Sequence, residues 1–185
     1  MKKAFVLLAN GYEEIEALMP VDVLRRAGLD VSIVSISEES LVTGAHNISV
    51  KSDVFLDHVD ADNGDLLILP GGMPGASNLM ENEKVKSLIT SFHEKKKWLA
   101  AICAAPMILG EMGLLQGKKA TCFPGFEKHL KGAEVVKESA ITDGHIITGR
   151  GIGAAMEFSL EIVRNLLGVD VANKLAKEMV VEKYL

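Results

Sequence analysis

Short unbroken apolar runs alternate along this chain with longer segments of helical period. Ala4 to Ala9 is one such run, closed by Asn10-Gly11, and predicts a buried strand. Glu13 to Ala27 has helical period and is stopped by Gly28, after which Asp30 to Ile36 predicts a second strand and completes a βαβ unit. Leu41 to Phe55 breaks the rhythm. Turn chemistry at Thr43-Gly44 and Ser52-Asp53, between shorter β-like runs, predicts a hairpin excursion from the main sheet. The alternation resumes with a strand over Asp65 to Leu69, ended by Pro70-Gly71-Gly72, and a helix over Asn82 to Lys97. Trp98 to Ile102 is a further apolar strand that runs into Cys103 and then into a short helix, Ala104 to Met112, ended by Gly113. Lys119 to Phe123 predicts a strand broken by Pro124-Gly125, and Val135 to Thr148 a hairpin turning at Asp143-Gly144. Gly153 to Leu167 reads as a long amphipathic helix ended by Gly168, and a final helix reaches Met179. Continuous apolar strands alternating with helices imply an α/β fold, a mostly parallel, doubly wound sheet with helices on both faces. There is no internal repeat and no linker, so residues 1–185 are read as one domain.

Composition narrows the function classes. With 48% hydrophobic and 24% charged residues among 185, the chain can bury a substantial core. A formal net charge of -5 argues against nucleic acid or anionic membranes as partners, and no stretch approaches the apolar length of a membrane span. The helix over Asn82 to Lys97 carries Glu81 and Glu83 early and Lys95, Lys96 and Lys97 late, which complements its dipole; those lysines read as a solvated helix end. Two cysteines, Cys103 and Cys122, without CxxC spacing fit a reducing cytosol better than a disulfide framework or a zinc site, and the short run after Met1-Lys2-Lys3 lacks a signal-peptide cleavage site. A cytoplasmic location is the expectation.

Cys103 is where chemistry concentrates. A cysteine in a sharp turn from strand to helix lies over the first free helix N–H groups, whose partial positive charge favours thiolate. Ala101, Ala104 and Ala105 leave room for such a turn and for close approach of a substrate. Position alone fits a buried structural thiol as well. In doubly wound sheets ligands bind beyond the carboxyl ends of the strands, where Asn10-Gly11-Tyr12-Glu13-Glu14-Ile15-Glu16, Pro70-Gly71-Gly72 and Cys103-Ala104 all fall. A backbone N–H from the glycine pair and that of Ala104 would make a two-donor oxyanion hole, unless Gly71-Gly72 is only a tight turn. Glu13 and Glu14 look like ordinary first-turn acids, and Cys122, inside a predicted strand, reads as core. No His, Cys or carboxylate cluster has metal-ligand spacing. Gly149-Arg150-Gly151-Ile152-Gly153-Ala154 is discounted as a dinucleotide loop, because no strand with a ribose-binding acid follows and Glu13 and Glu14 in the first βα loop would repel phosphate. Neither cofactor nor metal is expected.

Glu13-Glu14-Ile15-Glu16, Pro20 to Gly28, Leu69-Pro70-Gly71-Gly72, Ala100-Ala101-Ile102-Cys103-Ala104 and Glu157-Phe158, in this order and spacing, resemble the DJ-1/ThiJ/PfpI family over nearly the whole chain. The resemblance implies a flavodoxin-like fold, usually a homodimer, with Cys103 as the reactive cysteine, Glu16 as the carboxyl beside it, and Gly72 and Ala104 as oxyanion-hole donors. Such a Glu16 must be protonated, since burial and a neighbouring thiolate both disfavour its charge. The sequence departs from relatives at several points. Phe123 stands where the deglycase branch often has a His before Pro124, Ala104 stands where the protease-like branch has a His after its cysteine, and His145-Ile146-Ile147 lacks the His-x-Glu pair of related glutaminases. Ile152 replaces a Pro in the Gly-rich turn, and His129 reads as a surface helix residue. Two functions are expected from this pattern. One is a cofactor-independent cysteine enzyme of glyoxalase or deglycase type, acting on small reactive aldehydes such as methylglyoxal. The other is a redox-sensing stress-response or chaperone protein that uses the same cysteine.

Overall fold

Ala4, Val6 and Leu8 of the first strand, β1 (Lys3–Leu8), enter one hydrophobic cluster, while Phe5, Leu7 and the following Ala9 enter another. This two-sided burial explains why the run is unbroken, since alternate residues of a strand face opposite layers. The computed structural model describes residues 1–184. After β1 come α1 (Glu14–Arg26), β2 (Asp30–Ser35), β3 (Leu41–Thr43), β4 (Ser49–Lys51), β5 (Val54–Phe55), β6 (Leu66–Leu69), α2 (Gly75–Glu81), α3 (Glu83–Glu94), β7 (Trp98–Ile102) and α4 (Pro106–Glu111). The remainder is β8 (Lys119–Ala120), β9 (Glu134–Val135), β10 (Ala140–Asp143), β11 (Ile146–Gly149), α5 (Ala155–Leu167) and α6 (Val169–Glu178).

Seven strands form the main sheet in the order β10-β11-β7-β6-β1-β2-β5. All neighbours run parallel except the edge pair β10 and β11. One layer is built from α1, α5 and α6 through Val23, Leu24, Phe158 and Leu175, the other from α2, α3 and α4 through Leu79, Ile89, Phe92 and Ile108. The order in which strands are added reverses between β1 and β6. From β1 the chain moves outward through β2 to β5; it then returns to the other side of β1 and builds β6, β7 and β11. That reversal places a crevice beyond the carboxyl ends of the central strands.

The expected α/β architecture stands, with local corrections. Val54–Phe55 is the edge strand of the main sheet, while only β3 and β4 form the separate hairpin. The strand expected over Lys119 to Phe123 is confined to Lys119–Ala120, which pairs with Glu134–Val135 in its own two-stranded sheet, so Cys122 is buried but lies outside any strand. The hairpin expected over Val135 to Thr148 begins only at Ala140. Helix α4 begins at Pro106, where proline is tolerated because the first-turn N–H has no helical partner, so the expected helix over Ala104 to Met112 is shorter. The helix α2 was not expected; Pro74 and Gly75 at its start mask a helical signal. Asn82 separates it from α3, and its side-chain oxygen accepts from the N–H groups of Lys84 at 3.0 Å and Val85 at 3.1 Å. Among the described residues no helix is long and apolar enough to cross a membrane.

At the amino end of β11, His145 Nε2 lies 3.1 Å from His93 Nδ1 at the end of α3. Burial, helped by the positive charges of His93, Lys118 and Lys96, holds His145 below its ordinary 6.5. Folded His145 therefore resists protonation, the unfolded chain takes the proton first, and stability falls as pH drops below that value. Thermal denaturation from about pH 7 to about pH 5 should show a smaller loss of midpoint in His145→Asn than in wild type. Equal losses would place the acid-sensitive group elsewhere.

Candidate active site

Between the end of β7 at Ile102 and the start of α4 at Pro106, the chain turns at Cys103. Cys103 has φ of +65°, a left-handed conformation that costs a residue with a side chain roughly 1 to 3 kcal/mol. Two backbone hydrogen bonds hold it there. The Cys103 N–H donates to the Gly149 carbonyl at 2.9 Å, and its own carbonyl accepts from the Phe123 N–H at 2.8 Å. This is the geometry of a nucleophile elbow, which lifts a side chain above the sheet edge.

The loop after β6 lies against it. A methyl group on Gly71 would sit 2.6 Å from Glu16 Oε2 and 2.7 Å from Cys103 Cβ, and one on Gly72 would sit 2.3 Å from the Glu13 backbone nitrogen. Gly72 also has φ of +85°. Both positions therefore exclude a side chain, and the pair is more than a tight turn. The N–H groups of Gly72 and Ala104 point at the Cys103 sulfur. The Gly71 N–H is spent differently: it donates to Glu16 Oε2 at 3.0 Å.

Glu16 is buried on α1, on the same helical face as Ala17, Pro20 and Val23. Its carboxyl hydrogen-bonds the Cys103 side chain, and Oε1 is buried with no nitrogen or oxygen partner. Burial, reinforced by the charge of Glu13 and opposed by the hydrogen bonds from Cys103 and Gly71, pushes Glu16 up to about 7. Burial, then the charge and hydrogen bond of an ionised Glu16, push the Cys103 thiol up to about 12, against the pull of the Ala104 and Gly72 N–H groups. The expectation of a depressed thiol pKa thus fails wherever Glu16 is ionised. Two negative charges cannot share this space, so the pair keeps one proton across the neutral range. With that proton on Glu16, the repulsion vanishes and the carboxylic O–H donates to sulfur.

Cys103 opens into a cavity of about 230 Å³ lined by Glu13, Glu16, Met73, Phe123, Phe126 and Ile152. That is smaller than the roughly 300 to 1,000 Å³ typical of drug-sized ligand sites and suits a molecule of a few heavy atoms. A larger groove of about 620 Å³ runs past Phe55, His58 and Lys84, but it holds none of these groups.

A profile of the DJ-1/PfpI family matches residues 2–165. The chain belongs to that family. It is 35% identical to protein dj-1beta of Drosophila melanogaster over 97% of either chain, and 35% identical to a deglycase of Pyrococcus horikoshii over 80% of this chain and 89% of that protein. It is 38% identical to protein DJ-1 homolog B of Arabidopsis thaliana over 97% of its own length, but spans only 41% of that relative. The crystal structure of Drosophila DJ-1beta superposes with a TM-score of 0.93, covering 97% of this chain and 98% of that one.

Within this DJ-1/PfpI chain the four residues singled out, Cys103, Glu16, Gly72 and Ala104, meet at one point. Phe123 and Ile152, where the family resemblance led to the expectation of His and Pro, both line the cavity. His129 does not. It is bound to Glu111 Oε1 at 2.9 Å on the surface, while His145 sits at the opposite end of the sheet. The reading of Glu13 and Glu14 as ordinary first-turn acids is corrected. Glu13 lines the cavity, and Glu14 is buried, accepting from the His46 N–H at 2.7 Å and lying 2.8 Å from His46 Nδ1. Glu13, Glu14 and His46 thus form a trio that sequence spacing could not show, because His46 arrives on the β3–β4 hairpin. A signal for Glu16 was present: it lies one helical turn before Pro20, on the apolar stripe of α1.

Iodoacetamide labelling of Cys103 over a pH series should show an inflection below the free-thiol value of about 8.5. In Glu16→Gln the inflection should move upward, since an amide is a weaker donor to thiolate than a carboxylic acid. A wild-type inflection above that value, falling in the variant, would mean that Glu16 rests ionised.

Proposed function

We propose that this protein is a cofactor-independent cysteine enzyme that converts small 2-oxoaldehydes such as methylglyoxal to hydroxy acids, in the manner of a glyoxalase or deglycase. The observation that carries this reading is the convergence of the Cys103 sulfur, the Glu16 carboxyl and two N–H groups in a cavity of about 230 Å³. The deglycase names of relatives from Pyrococcus horikoshii and Pyrococcus furiosus support it.

The Cys103 thiolate attacks the aldehyde carbon, forming a C–S bond, and the carbonyl electron pair moves to oxygen. The Gly72 and Ala104 N–H groups hold that oxyanion until it is protonated by Glu16. Ionised Glu16 next removes the proton from the former aldehyde carbon and delivers it to the adjacent carbon, while the hydroxyl proton passes to the oxygen on that adjacent carbon, so the hemithioacetal becomes a thioester of the hydroxy acid. Water cleaves the thioester and releases the hydroxy acid and the thiol. The net change is addition of one water to the oxoaldehyde, with no external oxidant or reductant. A carboxyl held at about 7 suits both directions of proton transfer. The same reading places the protein in a reducing cytosol, consistent with the free thiols of Cys103 and Cys122, and as a homodimer, whose contact the exposed Ile15 and Ile48 would suit.

Cys103→Ser should abolish methylglyoxal consumption, and Glu16→Gln should lower kcat by about 10²-fold or more, followed by appearance of lactate. Unchanged consumption in either variant would remove that residue from the mechanism.

A second reading, a redox sensor with stress-response or chaperone partners, is favoured by one contrast: Cys103 is partly exposed whereas Cys122 is buried. Hydrogen peroxide would transfer one oxygen to the Cys103 thiolate per water formed, and a second equivalent would give a sulfinate that protonated Glu16 can hydrogen-bond. Mild peroxide should add mass at Cys103 before Cys122. The reverse order would end this reading.

A further inference from the structure

Beside the cavity over Cys103 lies a second one, of about 270 Å³, whose lining includes Pro124, Ser139 and Arg150. Phe123 and Ile152 line both cavities. The partition is therefore two apolar side chains, each 44% exposed and so free of tight packing. A methyl group on Gly151 would come within 3.1 Å of the Phe123 ring, so the bare glycine lets that ring lie against the loop that carries Arg150.

Arg150 is the one cationic residue of this second lining. The other three arginines of the chain are each paired, Arg25 with Asp53 at 2.9 Å, Arg26 with Asp22 at 2.7 Å and Arg164 with Glu161 at 2.5 Å. Among the described residues no carboxylate lies within ion-pair distance of Arg150, although the residue is partly buried. Glu127 is near enough to feel its charge, but that carboxylate is engaged by the Gly125 N–H at 2.7 Å. The Arg150 N–H donates to the Ser139 carbonyl at 2.9 Å, which fixes the backbone from which the side chain starts. A guanidinium without a carboxylate partner beside a cavity is a standing demand for an oxyanion, and its planar fork matches a carboxylate through two parallel hydrogen bonds.

We propose that the Arg150 cavity is a second subsite, which takes a carboxylate borne by the substrate a few atoms away from the carbonyl that Cys103 attacks. The inference rests on the aldehyde reading for its substrate class, 2-oxoaldehydes with an acidic tail, but the subsite itself is defined by Phe123, Ile152 and Arg150. A single positive charge suits a singly charged carboxylate better than a phosphate dianion, given Glu127 close by. Methylglyoxal, which has no tail, would fill only the first cavity.

The test uses covalent labelling of Cys103 in the full chain. Labelling rates are compared for an iodoacetamide bearing a carboxypropyl tail and for its uncharged methyl ester, with the site mapped by mass spectrometry. The acid-to-ester rate ratio should be at least fivefold higher in wild type than in Arg150→Gln. Arg150→Lys should keep part of the preference, and high salt should shrink it in wild type. Equal ratios in wild type and Arg150→Gln, or a wild-type ratio indifferent to salt, would overturn the subsite; the salt arm decides the matter should the variants fail to fold. A wild-type protein that ignores methylglyoxal yet keeps the tail preference would sink the aldehyde reading and leave the subsite standing.

Discussion

A carboxyl group buried against a thiol, with one proton between them, is the constraint around which this molecule is arranged. Glu16 has no room to move away from Cys103, because the helix that carries it packs its apolar face into the core through Ala17, Val21 and Leu24. Cys103 has no room to move away from Glu16, because its backbone is pinned to Gly149 and Phe123. Gly71 fits between them only by lacking a side chain. Burial makes each charge costly, and adjacency makes two charges at once costlier still, so the shared proton follows from packing. The Gly72 and Ala104 N–H groups draw the shared proton away from sulfur, against burial and the charge of Glu16.

The strand order makes this arrangement possible. β6 lies between β1 and β7, so the segments that follow these three strands emerge side by side although they are far apart in sequence. The left-handed turn at Cys103 costs roughly 1 to 3 kcal/mol, and two backbone hydrogen bonds, each worth about 0.5 to 1.5 kcal/mol net, are of the size needed to offset it. Those bonds tie the turn to the end of β11 on one side and to the segment after β8 on the other. The strain is thus held by backbone bonds rather than by the side chains that line the cavity, which leaves those side chains free to vary. Phe123 and Ile152 are instances of that freedom.

How much of this was legible in the sequence depended on how local each cause was. The unbroken runs at Ala4 to Ala9 and Trp98 to Ile102 announce strands buried on both faces, and Gly28, Gly113 and Gly168 mark helix ends that the structure places within a few residues. Cys103 after an apolar strand and Gly71-Gly72 after another were visible for the same reason, because the chemistry sits where a local period changes. What was hidden depends on long-range packing. Lys119 to Phe123 has strand composition, yet only two of its residues find a partner, since the chain bends away to pin Cys103 through Phe123. Glu14 has the look of a solvated first-turn acid until the β3–β4 hairpin covers it with His46. Arg150 sits in a glycine-rich segment whose most familiar association is with nucleotides; its lack of a carboxylate partner is a fact of space that no spacing rule contains.

Phe123 also decides how protons can travel. An imidazole at that position would bring a further titratable group into the first cavity, but a phenyl ring brings none, and Ile152 beside it adds another dry surface. The titratable groups left facing the cavity, besides Cys103, are Glu13 and Glu16. Glu13 lies nearer the rim, where His46 Nδ1 is 3.6 Å from its carboxylate. Its charge raises the proton affinity of Glu16. Every step of the aldehyde reading that moves a proton therefore falls to Glu16, with Glu13 tuning it from a distance. A dry wall strengthens this arrangement, because the electrostatic leverage of one carboxyl over a neighbouring sulfur grows as water is excluded.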